Sequence, residues 1–263
     1  MRPVPDLARV AALIADPSRA VMLDTLMDGI PRPVRELARD AKIALSTASE
    51  HVATLERGGL VATARVGRER RVWLRDATVA RTLEQFANLA GGPSGVDTTA
   101  MARLRSARTC YDHLAGRLGV GLADALVERG ALLRGDEAFA VAPAGRAWFD
   151  SIGIDLDVLA ARSRSFSRAC LDWTERRPHV AGSLGAALAR RAFELGWVVR
   201  LPGSRALLLT PDGQAFLEEA FGPGAGWPSP DRSRRHATAT ISAVPGFYGA
   251  GDRSTRSQGS APG

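Results

Sequence analysis

Over the first ninety residues, apolar positions recur at helical spacing in short blocks separated by turn residues. Leu7, Val10, Leu13 and Ile14 form one stripe behind Asp6. Asp16-Pro17 then sets an N-capping residue ahead of a proline at the first helical position, and Leu23, Leu26 and Met27 follow before Gly29 closes the helix. Beyond Pro31-Arg32-Pro33, a short helix carries Val34, Leu37 and Ala38 inward. A tight connection near Lys42 to Ala44 leads to a helix with Ala48, Val52 and Leu55, ended by Gly58-Gly59. Leu60, Ala62 and Ala64 alternate up to Val66, Gly67 to Glu69 turn, and Val72 and Leu74 return, which predicts a β-hairpin. A last helix, roughly Ala77 to Leu89, presents Val79, Leu83 and Phe86. Two short helices joined by a turn and followed by a hairpin describe a winged helix-turn-helix.

The pattern breaks at Gly91-Gly92-Pro93-Ser94-Gly95, a stretch that neither helix nor strand continues through, so a linker is expected at 91–96. Beyond it the chain repeats itself. His113-Leu114-Ala115-Gly116-Arg117-Leu118-Gly119 matches His179-Val180-Ala181-Gly182-Ser183-Leu184-Gly185, and continuing to Arg134 and Arg200 gives 10 identities in 22 positions. Each copy reads as a helix, a hairpin (131–141 and 197–209) and a helix, again a winged-helix-like plan. The expected fold class is therefore mainly α with short β-hairpins (α+β). A winged helix-turn-helix over 1–90 is followed by a duplicated winged-helix-like domain over 97–222. From 223 to 263, Gly, Pro, Ser and Arg dominate and a disordered tail is expected.

Composition narrows the class without fixing the chemistry. Of 263 residues, 45% are hydrophobic and 24% charged, near the average for a globular protein. No apolar run reaches the roughly 18 residues of a membrane span, and the first residues lack a signal-peptide core, so a cytoplasmic protein without membrane contact is expected. Cys110 and Cys170 are too few for a disulfide framework and are read as thiols. The net charge of +7 permits an anionic partner, and its distribution is informative. It divides into +3 for 1–90, +1 for 91–222 and +3 for the tail. Arg65, Arg68, Arg70, Arg71 and Arg75 stand against Glu69 alone around the hairpin turn, where a wing would lie along phosphates. The near-neutral second half argues against a second DNA-binding surface.

The segments Ile14-Ala15-Asp16-Pro17-Ser18-Arg19, Val34-Arg35-Glu36-Leu37-Ala38, Ser46-Thr47-Ala48-Ser49-Glu50-His51-Val52 and Leu55-Glu56-Arg57-Gly58-Gly59-Leu60-Val61 together resemble the ArsR family of bacterial transcriptional regulators, over about a third of the chain. The segment around Cys110 to Gly116 is similar to a longer subgroup of that family with a C-terminal extension. The resemblance implies double-stranded DNA as partner, with Ser46, Thr47, Ser49 and His51 facing the major groove. It sets Leu45 where relatives often carry a polar base-reading side chain, and Ala44 where they commonly cap with serine. It also implies a homodimer packed through the first and last helices of this domain, for which Leu7, Val10, Leu13, Val79, Leu83 and Phe86 offer contacts. Metal-responsive relatives use cysteines on the helix before the recognition helix, or Asp, His and Glu on the last helix. Residues 36–40 here hold no cysteine and the last helix no histidine, so neither of those sites can be built and no metal site is assigned.

Sensing, if it occurs, falls to the second half. Cys110-Tyr111-Asp112-His113 and Cys170-Leu171-Asp172-Trp173 precede or open the repeated histidine segments. On a helix, Cys110 and His113 would lie about 60° apart, flanking the stripe of Met101, Leu104, Tyr111 and Leu118, and they could converge with Cys170 and His179. Such a set suits a soft metal, or the thiols suit an oxidant or other thiol-reactive agent. Equally, free cysteines serve as small buried hydrophobes and histidines fix helix ends. An apolar small-molecule pocket walled by Tyr111, Trp148 and Trp173 is a further alternative. No enzyme and no cofactor are expected: Gly119-Val120-Gly121 lacks the rest of a dinucleotide fingerprint, and no phosphate loop or nucleophile elbow is present. The chain reads as a sequence-specific DNA-binding regulator, a homodimeric repressor released by an unidentified effector. The alternative is an architectural or adaptor protein using the same fold for protein contacts.

Overall fold

The computed structural model describes residues 7–91, 99–223 and 227–229. Most of the linker expected at 91–96 and of the tail expected from 223 lies outside the described residues.

The first part runs α1 (Leu7–Ile14), α2 (Pro17–Leu26), β1 (Arg32–Pro33), α3 (Val34–Asp40), α4 (Leu45–Arg57), β2 (Val61–Val66), β3 (Glu69–Leu74) and α5 (Ala77–Ala90). Local chemistry explains these limits. Asp16 caps α2 by accepting from the Arg19 N–H, with Pro17 in the first turn, and Asp76 caps α5 by accepting from Thr78 and Val79. Ala44 occupies the N-cap of α4 without a side-chain hydrogen bond. Leu37, Val52 and Leu55 meet Met22, Leu23 and Leu26 in one core, closed from the other side by Val72 and Leu74, and Ala48 is buried as well.

The hairpin carries its inward face one residue away from the expected one. Val61 and Thr63 pair with Leu74 and Val72, and Val61 is buried while Ala64 and Val66 are exposed. The reason lies in the helix end before it. Gly59 adopts φ +74°, and the Leu60 N–H donates to the Leu55 carbonyl, so Leu60 still belongs to the C-terminal cap of α4 and the strand begins at Val61. The turn is also tighter than expected, Gly67-Arg68 joining paired Val66 and Glu69. β1, invisible in the periodicity, adds a third strand in the order β1-β3-β2.

The second part opens with α6 (Thr99–Ser106) and then shows the same order of elements twice. First come β4 (Arg108–Cys110), β5 (His113–Ala115), α7 (Gly116–Glu128), β6 (Leu132–Arg134), β7 (Phe139–Val141), a 3-10 turn and α8 (Arg146–Ser151). After α9 (Leu156–Ala160) come β8 (Arg168–Leu171), β9 (Pro178–Ala181), α10 (Gly182–Glu194), β10 (Val198–Arg200), β11 (Leu207–Leu209) and α11 (Pro211–Phe221). A helix, a hairpin and a helix follow one another over 116–151 and again over 182–221, and a further hairpin precedes each long helix. Cys110 and His113 are therefore not on one helix: they are cross-strand partners in β4 and β5, about a turn in which Tyr111 takes φ +61°.

The two runs of elements are interleaved. β5 packs on α10, β9 packs on α7, and β5 and β9 touch each other. One core unites them, with Leu118, Leu122, Leu126, Phe139, Phe149, Leu184, Leu188 and Leu209 at its centre. Trp227 packs on this core, 6.0 Å from the Phe221 ring, so packed chain continues past Gly222, where composition placed the start of the tail. Leu104 and Ala206 are buried in the core of the first part, which ties the two parts together.

Candidate functional site

Two surfaces carry chemistry. The first is α4 with the wing. Leu45, Ser46 and Ser49 are exposed on α4 and Thr47 is half-buried, while the Ser49 hydroxyl donates to the Leu45 carbonyl. His51 turns away from them: its Nε2 lies 3.7 Å from Asp16 Oδ1 at the start of α2, with the side chain 17% exposed. The wing arginines divide as well. Arg65 and Arg68 are exposed and show no ion pair among the described residues. Arg70 donates to Thr63 and, at 2.6 Å, to Glu56, whereas Arg71 donates to the Pro31 carbonyl and to Glu69.

The second lies between the two copies. Cross-strand pairing sets Cys110 beside His113 in one hairpin and Cys170 beside His179 in the other. The packing of β5 against β9 then brings the two pairs together: the imidazole centroids are 5.0 Å apart, and the ligand atoms of Cys110, His113, Cys170 and His179 all lie within 4.8 Å of one another. Both histidines are buried and both cysteines half-buried. His113 Nδ1 lies 3.3 Å from Asp112 Oδ1, and His179 Nδ1 lies 3.4 Å from Asp172 Oδ2. The Nε2 atoms of both rings, and Nδ1 of His179, are buried without a hydrogen-bond partner.

The electrostatics follow from these contacts. The Cys110 thiol is pushed up to about 11 by its hydrogen bond to the Cys170 sulfur and by burial, and the same bond lowers Cys170 against burial. For His113, burial works downward, but Asp112 and Cys110 prevail and raise it. Burial would raise Asp172, yet it is held well below the usual carboxylate range by the Arg108 guanidinium, the Thr174 hydroxyl, His179 and the Gly116 N–H. Asp112 is held low likewise, burial being outweighed by His113 and Arg164.

Sequence reasoning missed the groups around this cluster. Arg108 and Asp172 form an ion pair at 2.9 Å with both side chains fully buried, and the Trp173 ring lies against Arg108, 5.0 Å from centroid to guanidinium carbon. Trp173 Nε1 donates to Glu84 on α5, and Arg205 pairs with the same buried carboxylate. Arg205 N–H and Ser204 Oγ both donate to the Asp28 carbonyl at the end of α2. The Cys-x-Asp triplet that occurs at both cysteines was the available signal for Asp112 and Asp172; nothing in the pattern marked Glu84 or Arg205. The three aromatic residues considered as a pocket wall have separate surroundings. Tyr111 is 65% exposed, Trp148 packs on Phe149 and Phe221, and Trp173 faces Arg108 and Glu84.

Comparison with known proteins bears on the family. Residues 14–64 match a family model described as a helix-turn-helix domain. The chain is 40% identical over 218 residues to an uncharacterized HTH-type transcriptional regulator, YdfF, of Bacillus subtilis (strain 168), spanning 82% of this chain and 96% of that protein. It is 35% identical over 83 residues to the HTH-type transcriptional regulator CmtR of Mycobacterium bovis, spanning 32% of this chain and 70% of that one. Among solved structures, the cadmium metal-sensor CMTR from Mycobacterium tuberculosis is 34% identical, covering 35% of this chain and 93% of its own, with a TM-score of 0.29.

Proposed function

The chain belongs to the HTH-type transcriptional regulators, in the ArsR-family form that its first ninety residues resemble, and from that premise we propose that it is a homodimeric repressor released from DNA by an effector bound in its second part. The observation that carries the DNA side is the exposed N-terminal end of α4, with Leu45, Ser46, Thr47 and Ser49, beside a wing tipped by Arg65 and Arg68. Short polar side chains let a helix approach base edges, and wing guanidiniums supply salt-sensitive phosphate contacts. His51 takes no part in this reading because it faces Asp16. For the dimer, Leu7, Phe86 and Leu89 are exposed apolar residues on α1 and α5, whereas Val79, expected among the contacts, is buried in the domain's own core. The effector side is supported by the convergence of Cys110, His113, Cys170 and His179, and the recurring order of elements around them supports an internal duplication.

The test is binding of the full chain to DNA from its own promoter region. Contact with about six phosphates implies a loss of roughly a thousandfold in affinity between about 50 and 200 mM salt, with a discrete protected palindrome in footprinting. Salt-independent binding, or uniform coating of the DNA, would defeat the proposal.

A further inference from the structure

Buried polar atoms without a partner are rare in folded proteins, and each calls for an explanation. Here three occur together, Nε2 of His113 and both ring nitrogens of His179, in one cluster with the sulfurs of Cys110 and Cys170. On its other side each imidazole faces a carboxylate, Asp112 for His113 and Asp172 for His179. A carboxylate that accepts from Nδ1 holds the proton there and leaves the Nε2 lone pair to bind a Lewis acid; Asp112 stands in that relation to His113 at 3.3 Å, and Asp172 lies 3.4 Å from Nδ1 of His179, a small shift from the same bond. A tetrahedral ion with bonds of about 2.3 Å to sulfur and 2.0–2.1 Å to nitrogen needs ligand atoms roughly 3.3–3.8 Å apart. One ligand atom from each of the four residues already lies within 4.8 Å of the others, so a small contraction closes the shell.

We propose that Cys110, His113, Cys170 and His179 form a closed, four-coordinate site for a divalent d10 metal ion of the zinc and cadmium class. Two thiolates and two neutral imidazoles around a divalent cation sum to zero charge, which suits a buried position. Hard ions such as magnesium and calcium require oxygen ligands and six or more of them, which this set does not offer. A thiol pair acting as an oxidant sensor uses the two sulfurs but leaves both imidazole Nε2 atoms without a function, whereas a metal ion engages all four groups. The site falls where the two copies meet, each supplying one cysteine, one histidine and one supporting carboxylate. The proposal rests on and deepens the effector part of the reading above.

The experiment is an anaerobic titration of the reduced full-length protein with cobalt(II), followed by zinc or cadmium. One cobalt per chain is expected, with the intense visible bands of tetrahedral cobalt and thiolate charge transfer, displaced by zinc and cadmium. Both cysteines become shielded from a thiol reagent when metal is added. Cys170→Ser weakens binding by at least about tenfold and reduces the charge-transfer band. Asp112→Asn, which alters no ligand and sits at a half-buried position, weakens metal binding by about 10–100-fold while keeping the tetrahedral spectrum. A protein of native circular dichroism that gives no tetrahedral cobalt spectrum overturns the proposal. So does unchanged metal affinity in both variants, or a Cys110–Cys170 disulfide formed in air by a protein whose reduced form takes up no metal. No DNA is present in this experiment, so its failure and a failure of promoter binding are told apart.

Discussion

At the scale of single residues, similar side chains have been given different tasks by their neighbours. Arg65 and Arg68 extend from the wing tip, while Arg70 and Arg71 are held by Glu56 and Glu69. Replacing Arg65 or Arg68 with alanine is expected to weaken binding evenly across DNA sequences and to lower the salt slope by about one unit each. The same change at Arg70 should leave that slope nearly intact, which DNA titrations at several salt concentrations will read. Arg108 is the opposite case, a guanidinium with no exposure whose partner, Asp172, is equally buried. Arg108→Met leaves a buried carboxylate without its counter-charge, and a loss of about 3–5 kcal/mol is expected in urea denaturation. The sequence marked the wing arginines as a cluster through their density, but could not say which acids would claim two of them. The partners, Glu56 on α4 and Pro31 before β1, are near only once the domain is packed.

At the scale of elements, legibility tracked how local the cause was. Helices α2 to α5 could be read because capping residues, glycine stops and periodic leucines act within a few positions. The wing register slipped because the cap of α4 consumes Leu60, a tertiary detail of one helix end. The hairpin of Cys110 and His113 read as helix because its strands span three residues each and its turn uses Tyr111 at positive φ in place of a glycine. The equivalence of the two Cys-His pairs was hidden for a similar reason: two residues separate the partners in one hairpin and eight in the other. The repeated His-x-Ala-Gly-x-Leu-Gly motif now has a physical account. Its histidines enter the cluster, and its last glycines, Gly119 and Gly185, let the first turn of each long helix press against the strand before it. A Cβ there would stand 2.4 Å from the Leu114 carbonyl oxygen or 2.2 Å from that of Val180. Gly185→Ala should therefore cost about 1–3 kcal/mol of stability despite alanine's better helix propensity. At Ala44 the gain runs the other way. Its extended backbone suits an N-cap and lacks only the side-chain acceptor, so Ala44→Ser should stabilise by about 1 kcal/mol, seen as a higher midpoint in the same denaturation experiment.

At the scale of the molecule, one buried carboxylate joins the two proposed activities. Glu84 sits on α5, which also presents Phe86 and Leu89 to solvent, and it receives both Trp173 and Arg205 from the second part. Trp173 adjoins Asp172, which faces the His179 imidazole and holds Arg108, so a change of state at the Cys-His cluster has a short, packed route to the helix proposed to build the dimer. Coupling of this kind requires two ligands that prefer different arrangements of one shared element, and its usual strength is about 1–3 kcal/mol, or roughly 5–150-fold in affinity. Zinc or cadmium is accordingly expected to lower promoter affinity within that range, read by fluorescence anisotropy of labelled DNA. Glu84→Gln keeps the shape of the side chain but removes the charge that Arg205 neutralises, and it touches neither metal ligands nor the DNA face. The variant loses stability because the buried Arg205 lacks its counter-charge, but folded protein should still bind metal and, without metal, DNA, while the drop in DNA affinity on metal addition shrinks. An unchanged drop would mean that the signal bypasses Glu84 and travels through other contacts between the two parts, among them the buried Leu104 and Ala206 and the hydrogen bonds of Ser204 and Arg205 to the Asp28 carbonyl.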